Sequence, residues 1–269
     1  MKLLAKLEGS NPGGSVKDRA ALAMLQGALE RGELRRGDRL VEATSGNTGI
    51  ALAMIGPLLG IGVTLVMPHS STRERVLTSR AYGAEVILTP EGQTMEDVRV
   101  HADELAARHG WRQLDQFSNP DNSSAHYRGT GPEIWRDTDG SITHFVSAMG
   151  TTGTIMGVSR YLKEQDSSVQ VIGTRPSDGS NIPGIRRWPE EFLPRIFDAS
   201  RVDRLLDVSE HEAVQATRRL AAEAGILAGM SSGGALAAAL KVAGELSSGT
   251  IVFIVCDRGD RYLSSPLFG

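Results

Sequence analysis

The chain has 269 residues, enough for one large or two modest domains with a sizeable core. Its 29 Lys and Arg against 32 Asp and Glu leave a formal charge of −3 and a pI near 6.1, which argues for no basic surface toward nucleic acid or anionic membrane. A single cysteine, Cys256, excludes an internal disulfide and fits a reducing cytosol, and Met1–Ala5 is too short an apolar run for a signal peptide.

In chain order, Met1–Glu8 reads as a strand ended by the turn Gly9-Ser10-Asn11-Pro12-Gly13. A helix over Lys17–Arg31 follows, stopped by Gly32. Strands at Arg39–Ala43, Val63–Met67 and Glu85–Leu88 then alternate with helices at Gly49–Ile55, Arg73–Tyr82 and Met95–His109, and Leu114–Asp115 is a candidate short strand. No charge occurs between Glu42 and Arg73, yet Gly56-Pro57, Gly60 and Gly62 divide this apolar stretch into a helix and a strand, each too short to cross a bilayer. Phe117–Pro132, rich in Asn, Ser, Pro and Gly, reads as a loop where the chain crosses between domains. Alternation resumes with His144–Ala148, Thr154–Glu164 and Val169–Gly173. After the irregular stretch Pro176–Phe197 come strands at Val202–Val208, Ile226–Ala228 and Thr250–Cys256, with helices at Glu210–Ala224 and Ser232–Leu246. Strands separated by helices predict an α/β fold with parallel sheets.

Three predicted strand-to-helix junctions share one make-up: Thr44-Ser45-Gly46-Asn47-Thr48-Gly49, Gly150-Thr151-Thr152-Gly153-Thr154 and Gly229-Met230-Ser231-Ser232-Gly233-Gly234. Each offers backbone N–H groups at a helix start and small polar side chains, where ligands bind in open parallel sheets. Lys17 stands in the first turn of a helix, where the dipole disfavours a cation by roughly 0.3–1 kcal/mol and lowers an amine's pKa, as a carbonyl-attacking lysine needs. Neither G-x-x-x-x-G-K-[ST] nor a G-x-G-x-x-G after a strand is present. Gly229-Met230-Ser231-Ser232-Gly233 fits a nucleophile elbow, but no histidine follows Ser231, His211 being the last of six. The histidines show no i, i+4 ligand pair, so no metal site is expected. A lysine, an anion cradle and several small polar loops together point to a phosphorylated aldehyde cofactor, pyridoxal 5′-phosphate.

Gly14-Ser15-Val16-Lys17-Asp18-Arg19 and Thr44–Gly49, with Gly150–Thr154 and Ser231–Gly234 after them, resemble in this order the cysteine synthase (O-acetylserine sulfhydrylase) family of fold type II pyridoxal-phosphate enzymes. Gln116 with Asn119-Pro120, Pro183–Trp188 and Cys256-Asp257-Arg258-Gly259-Asp260-Arg261 resemble its B branch, and the likeness runs from about Lys6 onward. The resemblance implies two open parallel-sheet domains with the active site in the cleft between them. Residues 11–120 would form the small mobile domain, and 1–10 plus 121–269 the large one. It further implies that Lys17 forms the Schiff base and moves the α-proton, Asn47 bonds the phenolic oxygen of the cofactor, Gly150, Thr151, Thr152, Gly153 and Thr154 bind its phosphate, and Ser231 faces its pyridine nitrogen. Thr44, Ser45, Thr48 and Gln116 would hold the substrate carboxylate. Arg186 would line an entrance admitting larger anionic nucleophiles such as thiosulfate, with Arg187 the weaker candidate.

The implied activity is β-replacement through an aminoacrylate, making L-cysteine from O-acetyl-L-serine and sulfide, in a cytoplasmic homodimer that docks a serine acetyltransferase tail. A neutral hydroxyl at Ser231 suits that route, because it leaves the pyridine a weaker electron sink than a carboxylate would. Rivals on the same scaffold are a serine or threonine dehydratase, a cystathionine-type synthase and a non-catalytic partner-binding homologue. The family's usual Asn-Thr-Pro-Leu strand before Lys6 has no counterpart here, which implies an unpaired sheet edge and a weakened dimer contact.

Overall fold

The computed structural model describes residues 1–268. The strands are β1 (Lys2–Leu7), β2 (Arg39–Ala43), β3 (Gly62–Met67), β4 (Glu85–Leu88), β5 (His144–Ala148), β6 (Gln170–Pro176), β7 (Arg204–Val208) and β8 (Thr250–Val255). The helices are α1 (Lys17–Glu30), α2 (Asn47–Leu58), α3 (Arg73–Ala81), α4 (Met95–His109), α5 (Pro120–Ala125), α6 (Gly131–Asp137), α7 (Gly153–Gln165), α8 (Glu210–Ala224) and α9 (Met230–Glu245). All pairings between these strands are parallel, in a five-stranded sheet ordered β1-β8-β5-β6-β7 and a three-stranded sheet ordered β2-β3-β4.

Both sheets are covered on both faces, as parallel sheets require. Every residue of β8 is buried, and adjacent residues of β5 serve opposite layers: Val146 packs with Leu220, Ala238 and Phe253, while Phe145 packs with Ile155, Leu162 and Val252. In the smaller sheet Leu40, Leu65 and Met67 meet Met24 and Leu25 of α1 and Leu52 of α2, and Val41 and Val66 meet Val98 and Ala102 of α4. The uncharged stretch forms α2 and β3, and among the described residues no helix is long and apolar enough to cross a membrane. At the edge of the larger sheet, β1 pairs on one side only, with β8, leaving Leu3, Leu4 and Leu7 exposed.

Segments read as loop or strand differ in three places. Phe117–Pro132 is largely helical: α5 runs through a π-type turn at His126–Thr130 into α6. Asn119 caps α5 by accepting from the Asp121 amide, Pro120 supplies the first turn, and Pro132 starts α6. The weak helix formers Asn122, Ser123 and Ser124 are held helical by packing on α1 and α7. That approach is close, since a Cβ at Gly157 would lie 2.1 Å from the Ser123 carbonyl oxygen. Leu114–Asp115 is not a strand; Arg112 makes one bridge to Leu40 of β2 instead. Likewise, Ile226–Ala228 contributes only a bridge between Ala228 and Arg258.

Glu42 of β2 is buried, and its Oε1 accepts from the amide of Leu114. Burial pushes its carboxyl up to about 7. The folded state therefore holds this proton more tightly than the unfolded chain does. The associated stability is complete below the ordinary carboxylate range and fades as pH rises through 7. Urea unfolding of the wild type is expected to lose about 2 kcal/mol from this group between pH 5 and 8. Glu42→Gln should remove that difference, and an unchanged pH slope in the variant would contradict the assignment.

Candidate active site

Lys17 opens α1, and the loop before it is fastened to the end of β8. The Val16 amide donates to the Cys256 carbonyl at 2.8 Å, and Ser15 bridges Asp257. Arg19, one turn into the same helix, is held by Glu8 at 2.7 Å and Glu133 at 2.7 Å. Lys17 is half-buried, and desolvation brings its amine below the ordinary lysine range against the opposing pull of Cys256 and Asp257. The Cys256 thiol is itself pushed up to about 12 by burial, so it is neutral at physiological pH and Asp257 is the effective counter-charge.

Asn47 is the first residue of α2. Its Nδ2 donates to Asp257 Oδ2 at 2.7 Å, while Arg261 Nη1 donates to its Oδ1 at 2.6 Å. Thr48 Oγ1 donates to Gln116 Oε1 at 2.8 Å, joining the α2 N-terminus to the segment after α4. Thr44 Oγ1 accepts from the Gly46 amide at 3.3 Å, and the Ser45 carbonyl accepts from Arg75. Thr44, Ser45 and Thr48 thus stand at one helix N-terminus with Gln116 tied to it through Thr48, a setting suited to a carboxylate.

Gly150–Thr154 leads from β5 into α7. Thr152 adopts φ 70°, a strained value for a β-branched residue, and its buried hydroxyl has no hydrogen-bond partner. Thr151 Oγ1 accepts from Asn122 at 3.1 Å, and Thr154 Oγ1 lies 3.3 Å from His126 Nε2. Burial lowers His126 to about 3, so that ring is neutral. A Cβ on Gly153 would sit 2.0 Å from Asn122 Oδ1, and one on Gly150 2.6 Å from the Gly184 carbonyl oxygen. Backbone amides at a helix N-terminus, an unpartnered buried hydroxyl and glycines at both ends form an anion cradle.

Ser231 is buried in the first turn of α9 rather than in a loop, with Gly184 against it. The Arg186 amide donates to the Met149 carbonyl at 2.9 Å and the Trp188 indole to the Gly150 carbonyl at 2.8 Å, so the 184–188 segment lies over the cradle. Arg186 is exposed, its guanidinium 5.4 Å from the Trp188 ring, on the rim of a cleft of about 840 Å³ also lined by Arg99 and Phe117. Arg187 is instead committed to Asp207, at 2.6 Å, and to Asp178. Among the described residues no three of His, Cys, Asp and Glu are grouped to hold a metal ion.

A family model described as "Pyridoxal-phosphate dependent enzyme" matches residues 1–257. The chain belongs to this family, on its cysteine synthase branch. It is 59% identical over 266 residues to cysteine synthase B of Pseudomonas aeruginosa, covering 99% of this chain and 89% of the relative. The Escherichia coli cysteine synthase B is 58% identical over 264 residues, covering 98% and 87%. Among solved structures, an O-ureido-L-serine synthase superposes with a TM-score of 0.93 at 40% identity, covering 99% of this chain and 87% of that one. A cysteine synthase from Entamoeba histolytica gives 0.93 at 37%, covering 99% and 82%. The chain is an enzyme whose cofactor is pyridoxal 5′-phosphate. Its residues fit that group, with a desolvated lysine for the aldehyde and the Thr152 hydroxyl and glycine-backed amides for the phosphate.

Four contributors carry no role in the sequence reading. Asn122 joins Gln116 to Thr151, but it lies in the stretch read as a loop. Asp257 and Arg261 belong to a motif visible in the sequence and Tyr262 directly follows it, yet nothing local indicates that Asp257 and Arg261 reach Asn47, 210 residues away in the case of Asp257. Gly153→Ala is expected to displace Asn122, lower unfolding stability by about 1–3 kcal/mol and weaken pyridoxal phosphate retention. Thermal unfolding and equilibrium dialysis check both, and wild-type values in each would contradict the cradle.

Proposed function

We propose that this chain makes L-cysteine from O-acetyl-L-serine and sulfide by pyridoxal-phosphate-dependent β-replacement, and that it also accepts thiosulfate. The observation that carries the reading is the half-buried, desolvated Lys17 amine within electrostatic reach of Asp257, the carboxylate that also holds Asn47. The identity of 56–59% to cysteine synthase B proteins over nearly the whole chain supports it. Bound at Lys17, the cofactor supplies an electron sink for the Cα–H bond. Lys17, its amine freed when substrate takes its place, holds and moves the α-proton, which its lowered pKa favours. Thr44, Ser45, Thr48 and Gln116 bind the substrate carboxylate. Ser231 offers a neutral hydroxyl to the ring nitrogen, which fits loss of a good β leaving group. Residues 11–120, carrying the three-stranded sheet, form the small unit that closes on carboxylate binding and excludes water.

Arg186, exposed at the mouth of the cleft over Trp188, takes the anionic sulfur donor, while Arg187 shapes the wall. The exposed leucines of β1 support a homodimer in which a second copy covers that sheet edge. A serine acetyltransferase tail would enter through the same cleft, and the cytosol is the compartment in which Cys256 stays reduced.

Adding O-acetylserine to the holoenzyme without a sulfur donor should shift its visible band, and sulfide or thiosulfate should restore it with cysteine or S-sulfocysteine released. A band that never shifts, or pyruvate as the main product, would overturn the reading. Arg186→Ala is expected to lower kcat/KM for thiosulfate about tenfold while leaving sulfide within about twofold. Equal losses for both donors would remove Arg186 from donor recognition.

A further inference from the structure

Asp257 follows β8 by two residues and is 0% exposed. Its Oδ2 accepts from Asn47 Nδ2 at 2.7 Å and from the Tyr262 hydroxyl at 2.6 Å. On the other side of the same amide, Arg261 Nη1 donates to Asn47 Oδ1 at 2.6 Å, and its Nη2 donates to the Gly13 carbonyl. An amide can be written two ways, but here only one is tolerable. Turned over, it would set NH2 against a guanidinium and a carbonyl oxygen against a carboxylate, losing two hydrogen bonds and gaining two repulsions. The Asn47 orientation is therefore dictated by Asp257 and Arg261, which lie outside α2 in the segment after β8.

The same carboxylate is built into the neighbouring loops. Its residue bridges Ser15, two positions before Lys17, and its carbonyl accepts from the Gly229 amide at 3.3 Å. A Cβ at Gly229 would lie 2.3 Å from Asp257 Oδ1, so the bare glycine is what makes room for the carboxylate.

We propose that Asp257, together with Arg261, is a positioning residue for Asn47: the pair fixes the amide so that its second Nδ2 hydrogen stays available to the phenolic oxygen of the cofactor. This rests on the reading of Asn47 as the residue that meets that oxygen. Asp257 does not itself touch the cofactor; it acts through the amide it orients. The same contacts hold the last segment of the chain against the N-terminus of α2, so both sheets contribute to one bond.

The test is a pair of double-mutant cycles read by pyridoxal phosphate affinity and by the pH at which the visible band of the holoenzyme titrates. Asp257→Ala is expected to weaken cofactor binding about tenfold and to move the titration in the otherwise wild-type chain. In an Asn47→Ala background it should cost less than about twofold in cofactor affinity, the titration shift that persists there being the direct loss of the Lys17 counter-charge. Arg261→Met, taken through the same cycle, should behave alike and covers the case in which Asp257→Ala does not fold. Equal fold-losses in both backgrounds, or full affinity in Asp257→Ala, would overturn the proposal and assign the cluster a purely structural role. A wild-type chain that binds no pyridoxal phosphate, or an Asn47→Ala chain with wild-type affinity and titration, would instead remove the reading of the pocket beneath it.

Discussion

Lys17 is held between burial and the nearby Asp257 carboxylate, and several side chains around it bear on that balance. Desolvation favours the neutral amine, the carboxylate favours the charged one, and a group poised between those pulls can both attack a carbonyl and move a proton. Three neighbours add no charge to it. The Cys256 thiol is kept protonated by its burial, and His126 keeps an uncharged ring. Ser231 offers a hydroxyl where a carboxylate would have added a second negative charge.

Two parallel sheets make this economical. Each presents helix N-termini at the carboxyl ends of its strands, so the N-terminus of α2 faces the pocket from one sheet and that of α7 from the other. Asn47 and Thr48 thus sit on the same side as the Gly150–Thr154 cradle although they stand about 100 residues away in the chain. Asn122 ties the two together by bonding both the Gln116 carbonyl and Thr151, which explains why the helix that carries it is packed so tightly against α7.

What could be read from the sequence follows from how local each signal is. The run Thr250–Val255 is apolar throughout, as a central parallel strand must be, and Thr94 with Asp97 and Ser209 with Glu212 mark helix starts through reciprocal caps. The three small-residue loops were legible as helix starts because glycine and hydroxyl residues cluster where α2, α7 and α9 begin. Helix α5 was not, since Asn and Ser favour turns and only the close fit with Gly157 and Gly27 makes them helical. Ile226–Ala228 shows the opposite error, with an apolar triplet of strand character that finds only Arg258 to bridge. The bearing of Asp257 on Asn47 belongs to tertiary structure alone, as a side-chain pair whose members share no pattern or element.

The pairing of the first strand with the last has a further meaning for how the molecule comes into being. Leu3 lies beside Ile251, a partner roughly 250 residues further along. At ribosomal speeds of about 5–20 residues per second, β1 waits on the order of tens of seconds for it. During that interval the three-stranded unit has all its strands, whereas the amino-terminal leucines and the segment leading to Lys17 have nothing to lie against. Ser15 and Val16 find their anchors at Asp257 and Cys256, roughly 240 residues further along. The loop that carries Lys17 is thus fastened late in folding, once β8 and the residues just after it have been made.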